Sequence, residues 1–157
     1  MIPTAHDGAV SSKPPLDTIA LQCSAGAFRV VPDARVRWFE RKGDFTLVRQ
    51  RWAALGASMT RSVWNDNKRE GYTYGGIVEN DQIVAIAAAW RYSNESWELA
   101  AVWTSDPLRR RGYATAVCSF VTAYILASGR VATCHTSADN VAMRRIARRL
   151  GYRPISD

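Results

Sequence analysis

Between Tyr72 and Thr104 the chain reads YTYGGIVE, QIVAIAAAWRY and SWELAAVWT, three strand-like runs separated only by Asn80-Asp81 and Ser93-Asn94-Glu95. Turns this short leave no room for a crossover helix, so consecutive runs must pair antiparallel as a meander. Any fold proposed for the chain has to be built around that sheet.

The flanking segments supply the other layers. From Asp44 to about Met59, Leu47, Trp52 and Leu55 recur at near-helical spacing behind a capping Asp44, which predicts a first helix. After the meander, GYATAVCSFVTAYILASG places Ala114, Val117, Cys118, Val121 and Ile125 on one apolar stripe, and Gly129 stops that helix. RVATCHTS then reads as a buried strand. NVAMRRIARRLGY reads as a helix capped by Asn140 and ended by Gly151. Upstream, Ala27 to Val31 and Ala34 to Glu40 look like short strands split by Pro32-Asp33. Residues 1–20, rich in Pro, Ser, Gly and Ala and without periodicity, read as a flexible tail.

At 157 residues, 47% hydrophobic and 22% charged, the chain has the composition of one globular domain, here residues 21–157. No apolar run approaches the ~18 residues of a membrane span. The first residues lack the basic flank and apolar core of a secretory signal, so the expected location is the cytoplasm. Cys23, Cys118 and Cys134 have no metal-like spacing, and neither a disulfide nor a metal is expected. The net charge of +7 calls for an anionic partner. It is concentrated: nine arginines lie between Pro107 and Arg153 against one acid, Asp139. Arginine's planar fork suits phosphate and carboxylate, although the same residues would also serve as a solvated helix face.

Three of those arginines, Arg109, Arg110 and Arg111, stand directly before Gly112 at the start of the long helix. Unpaired amides at a helix start carry partial positive charge, and a glycine there lets an anion approach the backbone. The amides of Arg111, Gly112, Tyr113 and Ala114, with Thr115 behind them, form a candidate phosphate cradle.

The order of elements around this turn resembles the GNAT superfamily of acyl-CoA-dependent N-acetyltransferases. The family's pyrophosphate loop, Arg/Gln-x-x-Gly-x-Gly/Ala, matches Arg109 to Ala114. A second mark, an Asn followed eleven residues later by Gly-aromatic, matches Asn140 with Gly151-Tyr152. The resemblance covers about residues 44–152. It implies an α/β fold of the α+β type: a mixed, mostly antiparallel central sheet, helices on both faces, and a splayed parallel strand pair.

What the resemblance implies for chemistry is transfer of acetyl from acetyl-CoA, as co-substrate, to a primary amine. Pantetheine would lie between the strands containing Trp97 to Thr104 and Arg130 to Thr136, against the backbone of Val102 and Thr104 and beside Asn140. Glu98 is the candidate base, eleven residues ahead of Arg109, as in some protein-acetylating members; His135 on the neighbouring strand is the rival. On a regularly alternating strand Glu98 would share a face with Ala100 and Val102. Trp64, Asp66, Glu70, Tyr72 and Tyr74 could form an acidic, aromatic pocket for the amine, or a loop packed by its own rings. The chain departs from the family at Ala147, where many members carry a tyrosine acid. It also lacks the usual C-terminal hairpin, whose place either the surplus N-terminal strands or a second copy in a homodimer would take. The alternatives are a catalytically silent CoA-binding protein and, since no nucleic-acid-reading signature is present, less readily a basic nucleic-acid-binding module.

Overall fold

A computed structural model describes residues 17–105 and 112–155. In chain order these form β1 (Thr18–Cys23), β2 (Arg37–Trp38), α1 (Asp44–Ala54), α2 (Arg61–Arg69), β3 (Tyr72–Glu79), β4 (Gln82–Trp90), β5 (Ser96–Thr104), α3 (Tyr113–Ala127), β6 (Val131–Ser137), α4 (Val141–Leu150) and β7 (Arg153–Pro154). One sheet runs in the order β2-β3-β4-β5-β6-β1-β7. All neighbours are antiparallel except β5 and β6. The expected meander is β3-β4-β5.

The sheet is covered on both sides, which is why β4 is buried continuously from Ile83 to Ala89. Ala85, Ala87 and Ala89 of β4 face a cluster built with Val117, Val121 and Ile125 of α3 and Ala147 and Leu150 of α4. Ile86 and Ala88 face the opposite cluster, with Val48 and Trp52 of α1 and Trp64 of α2. Strand alternation thus splits the core into two layers.

The N-terminal half departs from the sequence reading. Thr18–Cys23, partly assigned to the tail, is a strand that pairs antiparallel along the whole of β6, from Thr18↔Ser137 to Cys23↔Ala132. It inserts between β6 and β7 and so extends the sheet where the family's closing hairpin was expected. Ala27 to Val31 is not a strand. It straps the α3–α4 layer, with the Arg29 N–H donating to Leu150 O (2.9 Å) and the Val31 N–H to Ser119 Oγ (2.8 Å). Of Ala34 to Glu40 only Arg37–Trp38 pairs, and with β3 at the opposite edge.

Helix α1 starts without a side-chain cap. Asp44, expected as the cap, is its first residue; its buried carboxylate instead accepts from both Arg37 guanidinium nitrogens (2.9 Å each) and from the Arg41 N–H. Burial pushes that carboxyl up, but the bonds from Arg37 and Arg41 outweigh it and hold it below the ordinary carboxylate range. Residues 61–69, read as loop, are helix α2, capped by Thr60 Oγ1 accepting from the Val63 N–H. The three cysteines are buried free thiols.

Candidate active site

The parallel pair β5–β6 is joined only at its beginning, through Ser96↔Val131, Trp97↔Ala132 and Glu98↔Thr133. Beyond that β5 runs on to Thr104 and β6 to Ser137 without pairing to each other, so a V-shaped opening lies between them. Its cause is local. The β4–β5 register slips between Ala88↔Ala100 and Ile86↔Trp103, so two residues of β5, Ala101 and Val102, oppose Ala87 alone. Ala101 sits at φ 55°, a left-handed conformation that costs a non-glycine residue about 1–3 kcal/mol and recurs where a strand is bent for function.

The bulge also corrects the strand's facing. Before it, Trp97 and Leu99 join the α3–α4 layer. After it, Val102 belongs to that same layer, while Ala101 and Trp103 join the α1–α2 layer. Val102 therefore does not share a face with Glu98.

The opening leads to the start of α3. Gly112 holds the N-cap position at φ 80°, and no side chain caps the helix. Among the described residues the first amide to find an intrahelical acceptor is that of Ala116, bonded to Gly112 O, and the N–H groups of Tyr113, Ala114 and Thr115 have no acceptor among them. A Cβ placed on Gly112 would meet no described residue within 4 Å. At the end of β5 Thr104 is buried, with an Oγ1 that has no partner among the described residues. Arg109, Arg110 and Arg111 lie outside the described residues. Tyr113 anchors the helix start, its hydroxyl donating to Glu79 Oε1 (3.1 Å) and its ring lying 4.4 Å beneath the Arg35 guanidinium. Arg35 and Glu79 escaped the sequence reading, since nothing local links either to Gly112.

On the other strand Asn140 caps α4, its Oδ1 accepting from the Met143 N–H at 3.1 Å. Arg144 turns back to donate to Ala138 O. Ala147 is fully buried under the sheet, so no side chain projects from the position where many GNAT members carry their tyrosine.

Glu98 and His135, the rival bases, are partners. Glu98 is in register with Thr133, and His135 lies two residues further on the same face of β6, where its Nδ1 meets Glu98 Oε1. The Glu98 side chain is 15% exposed and that of His135 47%, so the carboxylate is the inner member and the imidazole the outer one. Trp90 stands opposite Glu98 on β4 and stacks on Tyr72 (5.3 Å, 4° between planes). Burial, with the charges of Glu98 and Glu70, raises the Tyr72 phenol; burial, with Glu98, pushes the Cys134 thiol up to about 12. That thiol is inert.

Of the two readings of residues 64–74, the rings of Trp64, Tyr72 and Tyr74 follow the second and pack on one another rather than forming a pocket with Asp66. Trp64 and Tyr74 are core residues, 5.2 Å apart, and Asp66 faces solvent paired with Arg69. Instead a cleft of about 170 Å³ is lined by Glu40, Trp64, Lys68, Tyr72, Tyr74 and Arg91, among others. A larger one of about 490 Å³, between α1 and the start of α2, includes Phe45, Arg49, Met59 and Arg61. Among the described residues no three His, Cys, Asp or Glu side chains are placed to hold a metal ion, and no helix is long and apolar enough to cross a membrane.

Residues 74–157, from β3 through the opening to the end of the chain, match the family described as FR47-like protein. The chain belongs to this GNAT-type family. Solved structures agree on the fold of this FR47-like protein. A putative acetyltransferase of the GNAT family from Novosphingobium aromaticivorans DSM 12444 superposes with a TM-score of 0.67 at 22% identity, over 90% of this chain and 62% of its own. A GNAT-family acetyltransferase from Colwellia psychrerythraea gives 0.69 at 17%, over 88% and 53%. AAC(6')-Iy, in complex with the bisubstrate analog CoA-S-monomethyl-acetylneamine, gives 0.63 at 15%, over 78% and 92%. The FR47-like chain thus spans little more than half the length of the first two. No curated protein matches it by sequence.

Proposed function

We propose that this FR47-like protein transfers an acetyl group from acetyl-CoA directly to a primary amine. The observation that carries the reading is the opening between β5 and β6 together with the uncapped start of α3 at its mouth. An extended pantetheine arm needs strand-like backbone partners, and the unpaired edge of β5 around Val102 and Thr104 offers them. A pyrophosphate needs convergent donors without a side chain in the way, which Gly112, Tyr113, Ala114 and Thr115 provide. Arg109, Arg110 and Arg111, which precede Gly112 in the sequence, would add charge, and Asn140 at the start of α4 would meet the pantetheine arm. The groups present fit an acyl-CoA and require no metal.

The acceptor must arrive on the α1–α2 face, where Glu98 and His135 lie among Tyr72, Trp90 and Tyr92. There the pair relieves the ammonium of a proton before attack on the thioester. The test is calorimetric titration with acetyl-CoA, followed by a panel of primary amines read by release of free thiol. Micromolar binding with thiol release on one amine class supports transfer. Binding without release on any amine makes the protein a silent CoA binder, and absence of binding removes the reading.

A further inference from the structure

We propose that Glu98 and His135 act as one unit in which the imidazole, not the carboxylate, takes the proton from the acceptor amine, and Glu98 is the positioning residue. This rests on the reading above. The argument starts from which atom meets which. It is Nδ1 of His135 that meets Glu98 Oε1. A carboxylate accepts only, so Nδ1 carries the hydrogen and donates it, which leaves the lone pair on Nε2. That nitrogen has no protein partner among the described residues, and the ring is half-exposed beside the opening.

Burial assigns the order of the two groups. A base that acts on an incoming ammonium has to be reachable, and Glu98, with 15% of its side chain exposed and one oxygen turned to His135, is the less reachable. Tyr72 of β3 and Cys134 of β6 lie within reach of its charge, and both are kept neutral by burial. Glu98 Oε1 meets His135 Nδ1, so the carboxylate is placed to stabilise the charge His135 would acquire. The partner strand β1 sets the ring's surroundings with Ala20, directly opposite His135 and too small to cover it.

The step balances as follows. R–NH3+ gives one proton to Nε2, forming the imidazolium held by Glu98. The freed amine attacks the thioester carbonyl, the C–S bond breaks, and the thiolate takes the remaining surplus proton from nitrogen to leave as CoA thiol. His135 then returns its proton to solvent. No tyrosine acid is called for, in keeping with Ala147.

The test compares His135→Gln, Glu98→Gln and the unmodified chain in kcat/KM against pH, with acetyl-CoA affinity measured alongside. His135→Gln is expected to lose about 100-fold or more and with it the rise of rate with pH. Glu98→Gln is expected to lose roughly 10-fold and to keep that rise. Acetyl-CoA affinity stays within about 2-fold in both. If Glu98→Gln abolishes the rise while His135→Gln retains it, the carboxylate is the base and the proposal fails; normal turnover in both variants overturns it equally. A readout independent of turnover separates this failure from that of the acetyltransferase reading. The chain has two histidines, His6 and His135. Imidazole 15N spectra, assigned by His135→Gln, are expected to show His135 protonated at Nδ1 and to lose that preference in Glu98→Gln; a His135 protonated at Nε2 in the unmodified protein refutes the pairing even if no amine is ever acetylated.

Discussion

Replacing Gly112 separates what the backbone needs from what the ligand needs. At φ 80° any L-residue occupies the left-handed region at a cost of about 1–2 kcal/mol, but its Cβ meets no described residue within 4 Å. Gly112→Ala should therefore fold and lose roughly 3–6 °C in Tm. Gly112→Asp carries the same backbone cost and adds a carboxylate in the space in front of the Tyr113, Ala114 and Thr115 amides. A negative charge roughly 5 Å from one phosphate charge costs about 1 kcal/mol at the dielectric of water and about 3 kcal/mol at an effective dielectric of 20. Acetyl-CoA should then bind Gly112→Asp about 5- to 150-fold more weakly than Gly112→Ala. Calorimetric titration of both variants, with thermal melts to show that both are folded, makes the comparison. Equal acetyl-CoA affinity of the Asp and Ala variants would refute the placement of phosphate at the start of α3, whatever the two melting temperatures.

Three further contacts test the scaffold. A Cβ on Gly76 would stand 2.2 Å from Ala85 O and 2.8 Å from the Phe39 ring, so Gly76→Ala has to prise β3 from β4 and should cost about 3 kcal/mol or more in urea unfolding; a change within 0.5 kcal/mol refutes the packing. Asp44→Asn should cost about 2–4 kcal/mol at pH 7, since it leaves Arg37 without its counter-charge. Because the folded Asp44 carboxyl sits below its unfolded value of about 3.9, its contribution is complete above that pH and disappears as pH falls through the folded value, so the gap between wild type and Asp44→Asn should close in strong acid; a gap independent of pH refutes the ion pair. Thr122→Val removes the buried 2.7 Å bond to the Tyr152 hydroxyl and should cost about 1–3 kcal/mol, and adding Tyr152→Phe should recover part of it; a double variant as unstable as the sum of both singles refutes the coupling.

What could be read in the sequence follows from how far each feature's cause lies along the chain. The meander, α3 and α4 are each dictated within a dozen residues, by tight turns, by an apolar stripe, or by a cap such as Asn140, and the structure has them where the spacing predicts. The Gly112 turn belongs with them, because a positive φ at a helix start is a local demand that a glycine announces. Strand β1 is different. TIALQC has the alternation of a half-buried strand, but the Ala132 that pairs with Cys23 is more than a hundred residues away and no turn marks the pairing, so the sequence alone reads residues 18–20 as the end of a tail. Helix α2 has a polar sequence, RSVWNDNKR, and owes its form to burial of Trp64 and Asn67 against the sheet as much as to the Thr60 cap.

The site itself divides along the same line. Glu98 and His135 could be named singly from their strands, yet their contact follows from a parallel register, Glu98↔Thr133, that no residue between them specifies. The bulge is harder still, because Ala101 adopts a glycine-like φ with no glycine to betray it. An alanine held there against its own preference is evidence that the surrounding layers impose the bend: Leu99 and Val102 are drawn to the α3–α4 layer and Ala101 and Trp103 to the α1–α2 layer, and only an extra residue reconciles the two assignments. By changing which face each residue presents at this point, the bulge leaves Glu98 on the α1–α2 side with His135 and turns Val102 away. Beyond it β5 diverges from β6 toward the uncapped amides of α3. The same irregularity that defeats strand alternation as a guide to the sequence puts Glu98 and Val102 on opposite faces of β5 beside its opening from β6.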